Sequence, residues 1–185
     1  MSQNKQQKYL KLWGFKEADY EATYPQLGLS KKIIKYLEEY INHFPSTRGL
    51  AFIGNAKIST KTMGRTVKEI MDKGGFKNRV SIIDIPSYLT SFSSVGNQER
   101  VRSEGKIKED LINSDLVILQ ELGLTKWNDM QKTKLYTLIY ERYSRDLPIF
   151  TTVSCELDNL EAFIGGSNLF RIEDSCSFLE LTNNG

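Results

Sequence analysis

The chain has 185 residues, enough for one α/β domain around a single core and too few for two comfortable ones. Its 39% hydrophobic and 26% charged residues exclude a wholly disordered chain, and 25 basic against 23 acidic side chains leave a net charge of +2, too little for a global basic field. Cys155, Cys176 and the single histidine, His43, cannot supply the four ligands of a zinc module within one chain, so no metal is expected. The start, MSQNKQQKYLKLWGF, lacks an apolar signal core, and nothing approaches the roughly 20 apolar residues of a membrane span. The expectation is a cytoplasmic protein with reduced thiols, both cysteines being core or surface residues.

Residues 1–30 alternate polar and aromatic, and Pro25 and Gly28 interrupt any helix, which reads as a leader packing on a domain that spans 31–185. Ser30 then caps an amphipathic helix in which Ile33, Ile34, Leu37, Tyr40, Ile41 and Phe44 recur at helical spacing, up to Pro45. GLAFIG (49–54) is a short apolar run ended by glycine, as in a buried parallel strand. A helix is predicted from about Thr60 to Asp72, on Met63, Val67, Ile70 and Met71, closed by Gly74 and Gly75. Further strands are predicted at RVSIIDIP (79–86), DLVILQELG (115–123), LPIFTTVS (147–154) and CSFLELT (176–182), with a helix around Leu135, Leu138 and Ile139 before the fourth. Strands alternating with helices imply a three-layer sandwich around a mostly parallel sheet, joined by right-handed crossovers.

A strand ending in Gly54 and leading into a helix is where P-loop NTPases cradle phosphate with G-x-x-x-x-G-K-[ST]: backbone amides bind the oxygens, lysine neutralises charge and the hydroxyl holds magnesium. The stretch here is GNAKISTKT. Counted from Gly54, Ser59 takes the place of the second glycine, Thr60 that of the lysine and Lys61 that of the hydroxyl. A second register keeps Lys61 and Thr62 as the lysine–hydroxyl pair in a longer loop. The first is favoured, because it buries Met63, Val67 and Met71, whereas the second rotates that stripe by about 100°.

GLAFIG (49–54), ILQELG (118–123) and ERYSRDLPIFTTV (141–153) together resemble phrases of the AAA+ domain in the DnaC/DnaI/IstB family of helicase loaders and transposition helpers. The resemblance runs from about Gly49 to Thr182 and implies a P-loop NTPase fold of the AAA+ kind. It also places the departures. Gln120 stands where the family has the Walker B aspartate, which helps hold magnesium. Asp115, roughly 16 Å away at about 3.3 Å per residue, cannot replace it. Glu121 matches the second acid, which polarises the attacking water. Val153 takes the sensor 1 asparagine's place, and an isopropyl group orients no water. Each lost charge-assisted contact costs about 1.5–3 kcal/mol, so losing two weakens binding by roughly a hundred- to ten-thousand-fold.

Arg171, in SNLFRIED, matches an arginine that in family members acts at the subunit boundary or on phosphates; a surface pairing with Glu173 or Asp174 is the structural alternative. Arg100, Arg102, Lys106 and Lys108, near Tyr88 and Phe92, lie where such loaders present a single-strand-binding element, although Glu99, Glu104 and Glu109 dilute the charge. The expectation is a pseudo-ATPase of the helicase-loader kind, from a phage, plasmid or other mobile element. It needs no cofactor and binds a replicative helicase, a loader, another copy of itself or DNA. The alternative is an active loader that uses ATP and Mg2+ through Lys61, Thr62 and Glu121.

Overall fold

The computed structural model describes residues 3–12, 14–45, 48–76, 79–85, 109 and 111–181. Five strands, β1 (Gly49–Gly54), β2 (Val80–Asp84), β3 (Leu116–Leu122), β4 (Ile149–Val153) and β5 (Cys176–Leu181), form one sheet in the order β2-β3-β4-β1-β5. Every pairing is parallel. Each strand falls inside an apolar run of the sequence, because both faces of a parallel sheet are covered and alternate residues must be apolar on each.

Helices α1 (Gln3–Leu12), α2 (Glu17–Tyr20), α3 (Lys31–Asn42) and α4 (Ala56–Asp72) belong to one face, and α5 (Asp129–Tyr143), α6 (Leu160–Ile164) and α7 (Gly166–Ser175) to the other. Strand alternation feeds both sides: Leu50, Phe52, Ile118 and Phe150 join the first core, while Ala51, Val117, Leu119 and Ile149 join the second. This is the three-layer sandwich.

The first thirty residues contribute to the first core, since Leu10, Phe15, Tyr20, Tyr24, Leu27 and Leu29 are all buried there. Gly64, in the middle of α4, makes this docking possible: a Cβ at that position would collide with the carbonyl oxygen of Asp19. Thr66 Oγ1 donates to Thr62 O at 2.8 Å, so the 3.0 Å contact between Thr66 Oγ1 and Tyr24 Oη has the phenol as donor. Burial raises the Tyr24 pKa, which keeps that proton in place. Ser30 Oγ caps α3 by accepting from Ile33 N at 3.3 Å, and His43 sits at the helix end with Nδ1 2.8 Å from Glu39 O.

Among the described residues, one charged side chain lies wholly inside. Arg142, near the end of α5, is 0% exposed. Its Nη1 donates to Leu111 O and Ser114 O, both at 2.9 Å, and Nη2 donates to Pro148 O at 2.7 Å. Burial lowers its pKa to about 10, partly offset by Asp115, so it remains a cation at neutral pH. Its two Nη groups thus hold the chain entering β3 and the chain entering β4 to one helix, while the buried Nε has no partner. Arg142→Met strips partners from these buried carbonyls, each worth about 1–3 kcal/mol, and should lower stability by at least about 3 kcal/mol. Urea unfolding measures it, and a loss below about 0.5 kcal/mol would show the carbonyls to be satisfied another way.

Candidate functional site

The helix after β1 packs on one face of the sheet and the helices after β4 on the other. The crevice between those two strands is therefore the switch point at which open α/β sheets bind ligands, outside their carboxyl ends. In register, Ile53 of β1 lies beside Val153 of β4, and Val153 beside Leu122 of β3. The sheet thus brings Gly54, Glu121 and Val153, from three separate segments, to one edge, with Gln120 a residue further in.

At the end of β1 the helix starts earlier than the sequence predicts. The predicted start is near Thr60, whereas α4 begins at Ala56 and only Asn55 separates it from Gly54. Asn55 is the reason: its Oδ1 accepts from Lys57 N at 3.0 Å and Ile58 N at 3.3 Å, while its carbonyl accepts from Ser59 N at 2.9 Å. Asparagine is among the best N-caps, and Ala56-Lys57-Ile58 contains no glycine to keep the chain out of the helix. Two amides at the helix start, where a phosphate loop would offer its own, are therefore taken by a side chain of the protein itself.

The residues of both candidate registers lie inside this helix. Ser59 and Thr62 are 0% exposed with their hydroxyls unpartnered, while Thr60 and Lys61 are half-buried. Met63, Val67, Ile70 and Met71 form the buried stripe. Gly54 has a task that needs no ligand: its φ is 130°, and a Cβ there would lie 2.9 Å from Leu181 O on β5.

At the end of β3, Gln120 pairs with Asp84 of β2. The ladder to β4 is then interrupted between Leu119 and Leu122, with Glu121 in the left-handed region at φ 63°. Its amide donates to Thr152 Oγ1 at 2.9 Å, and Leu122 O accepts from Ser154 N at 2.8 Å beyond the break. Gly123 follows at φ 83°, where a Cβ would lie 2.5 Å from Cys155 Sγ. Val153 is 2% exposed and belongs to the second core. Burial raises both thiols, Cys176 to about 12, which disfavours the thiolate at each.

Arg171 lies on α7 against the protein's own aromatic side chains. Its guanidinium carbon is 4.5 Å from the Tyr136 ring centroid and 5.4 Å from that of Tyr140. Nη1 donates to Ser167 O at 2.7 Å and Nη2 to Tyr136 Oη at 3.0 Å. Asp174 is hydrogen-bonded to Tyr143 and raises that phenol's pKa. Arg100, Arg102, Lys106 and Lys108, with Tyr88 and Phe92, lie outside the described residues. Sequence reasoning missed Asn55, whose signal was an N-cap residue directly before a run of helix formers.

A parallel sheet of this order, with the site residues at its carboxyl edge, is the fold of P-loop NTPase-type domains. Within that class the chain has the AAA+ helicase-loader fold. It is similar to a crystal structure of the DnaC helicase loader, at TM-score 0.69 and 17% identity over 98% of this chain and 100% of that one. It is similar to a DnaI structure at TM-score 0.69 and 14% identity, covering 93% of both chains. A third likeness is to the replication initiator DnaA bound to AMPPCP and single-stranded DNA, at TM-score 0.62 and 12% identity over 94% of this chain and 50% of that one. No family model matches the sequence, and no curated protein does.

The break after β3 yields a stability test. A non-glycine residue in the left-handed region costs about 1 kcal/mol, so Glu121→Gly should raise stability by roughly 0.5–1 kcal/mol. Gly123→Ala should lower it by more than about 1 kcal/mol, through both φ and the Cys155 contact. Thermal unfolding of the two variants reads both, and a destabilised Glu121→Gly would mean that the carboxylate makes a contact for which the strain is maintained.

Proposed function

We propose that this chain is a pseudo-ATPase of the helicase-loader kind, which serves DNA replication of a phage or other mobile element by binding a replication protein, a related AAA+ ATPase or DNA. The observation that carries the reading is the Asn55 cap. A triphosphate at the start of α4 must displace a carboxamide that already satisfies Lys57 N and Ile58 N, and no loop precedes the helix to wrap the phosphates.

The other ATP and magnesium contacts fit as poorly. Gln120 offers a neutral amide for the metal, and Val153 is an apolar core residue in the place of a sensor. The alternative, an active loader using Lys61, Thr62 and Glu121, needs the Thr62 hydroxyl at a magnesium ion, yet that residue is 0% exposed. The replication role is supported by the likeness to DnaC, DnaI and DnaA, which for the first two extends over nearly the whole chain.

In this reading, function lies in surfaces. AAA+ subunits dock side by side, so a subunit with a closed pocket still offers a face to a replicative helicase, a loader or a second copy of itself. Arg171 is the candidate contact on that face, and reaching a neighbour would require leaving Tyr136 and Tyr140. DNA contact through Arg100, Arg102, Lys106 and Lys108 would rest on phosphates, and would be weak and indifferent to sequence.

With ATP and magnesium in excess, the protein should show no turnover above background, and Glu121→Gln should change nothing. Magnesium-dependent hydrolysis abolished by Glu121→Gln would overturn the reading in favour of the active loader. Single-stranded DNA binding, if observed, should fall steeply with salt and disappear when the four basic residues become alanine; unchanged binding would place the contact elsewhere.

A further inference from the structure

The charges of this chain are segregated. Residues 3–16 (QNKQQKYLKLWGFK) carry four lysines and no acid, and residues 55–68 (NAKISTKTMGRTVK) four basic side chains and no acid. The fold brings these two stretches together, because Phe15 and the carbonyl of Asp19 sit on Gly64, one turn along α4 from Lys61. Arg65 and Lys68 are matched by Glu69 and Asp72 at 2.6 and 3.5 Å. Among the described residues, no carboxylate lies within ion-pair distance of Lys8, Lys11, Lys16, Lys57 or Lys61. Lys57 and Lys61 repel each other at i,i+4 and stand at the positive end of the helix dipole, which costs stability until an anion faces them. Leu12, one turn after Lys8, is 69% exposed.

The opposite charge collects on the other layer. Residues 147–170 contain Glu156, Asp158 and Glu161 and no basic side chain. All three are exposed, and among the described residues no cation lies within ion-pair distance of them. The loop after β3 is fastened to this stretch: Gly123 leaves room for Cys155 and Leu160, and Trp127 N donates to Phe163 O at 3.1 Å. That loop carries Leu124, 51% exposed, and leads into Met130, 61% exposed. Its own basic residue is Lys126, and Lys132 beyond it is shared with Asp129 at 4.0 Å.

Each surface thus joins exposed apolar side chains to unmatched charge, and the two signs are opposite. A net charge of only +2 gives the chain no overall field to draw in a polyanion. Segregated charge on a nearly neutral chain is answered instead by another molecule that carries both signs, which a second copy does with the same residues.

We infer that copies of this chain associate head to tail. The leader and α4 of one copy dock on the loop after β3 and the 156–161 stretch of the next. Leu12 meets Leu124 and Met130 while the lysines and carboxylates around them fix the orientation. The contact is heterologous, so each copy keeps one surface free for a further copy. This rests on the reading above that the chain works through its surfaces, and it names surfaces that exclude Arg171.

The test is sedimentation velocity of the full chain, from about 1 to 100 μM, at about 50 mM and about 500 mM salt. No nucleotide is added, so the outcome is separate from that of the ATP turnover assay. The wild type should associate at low salt and weaken at high salt. Lys8→Glu with Lys11→Glu turns the first surface acidic, and Glu156→Lys with Asp158→Lys turns the second basic. Each double variant alone should associate at least about tenfold more weakly, whereas an equimolar mixture of the two should recover association, because each then meets the opposite sign. Misfolding cannot produce that recovery. A wild type that stays monomeric throughout the range, association that survives either reversal, or a mixture that fails to recover would overturn the assignment. A single-stranded oligonucleotide that binds a monomeric wild type and is released by the lysine reversal would overturn it too, and would give the basic surface to nucleic acid.

Discussion

A buried guanidinium bonded to main-chain carbonyls sits at the point where three segments of the second layer meet. The Arg142 guanidinium is coordinated by main-chain carbonyls from the approach to β3 and the approach to β4, and its own stem fixes the end of α5. Burying a charge is costly unless its donors find oxygens; both Nη groups do and Nε does not, so the arrangement tolerates little drift in any of the three segments. It ties together the starts of β3 and β4; the break between Leu119 and Leu122 then shifts their pairing by one residue, and the strand ends bring Gln120, Glu121 and Val153 to one edge of the sheet.

The residues at that edge have structural work of their own. Gly54 is needed for the approach of β5, Asn55 closes the helix start, and Val153 fills the second core. Ser59 and Thr62 face inward with unpaired hydroxyls. Glu121 keeps a left-handed backbone, and non-glycine residues of this sort persist where surrounding structure, here the bond from its amide to Thr152 Oγ1, holds them.

The strands were legible because a parallel sheet leaves little room for polar residues: five apolar runs in the sequence became five strands with ends within two residues of those predicted. The start of α4 was not, because the phosphate-loop pattern over GNAKIST implies a loop up to Ser59, whereas the helix begins at Ala56. A capping asparagine followed by alanine, lysine and isoleucine was visible in the same letters. Arg142 was equally visible within ERYSRDLPIFTT, yet an arginine is so seldom fully buried that a surface position is the natural first reading. The partners of Arg171 could not be read at all, since Tyr136 and Tyr140 lie more than thirty residues earlier and meet it only once α5 and α7 pack. Gly64 gave no hint of its role either, because the need for it comes from a carbonyl of the leader.

The central claim is that the protein's own Asn55 occupies the place of a phosphate. The most direct measurement follows the amide resonances of Lys57 and Ile58 while ATP and magnesium are added to the labelled chain. The account predicts that both stay where they are, because their protons remain bonded to the Asn55 carboxamide throughout. Saturable movement of these two resonances, with the Asn55 side-chain signals shifting at the same midpoint, would contradict it by showing that the cap opens to admit a nucleotide.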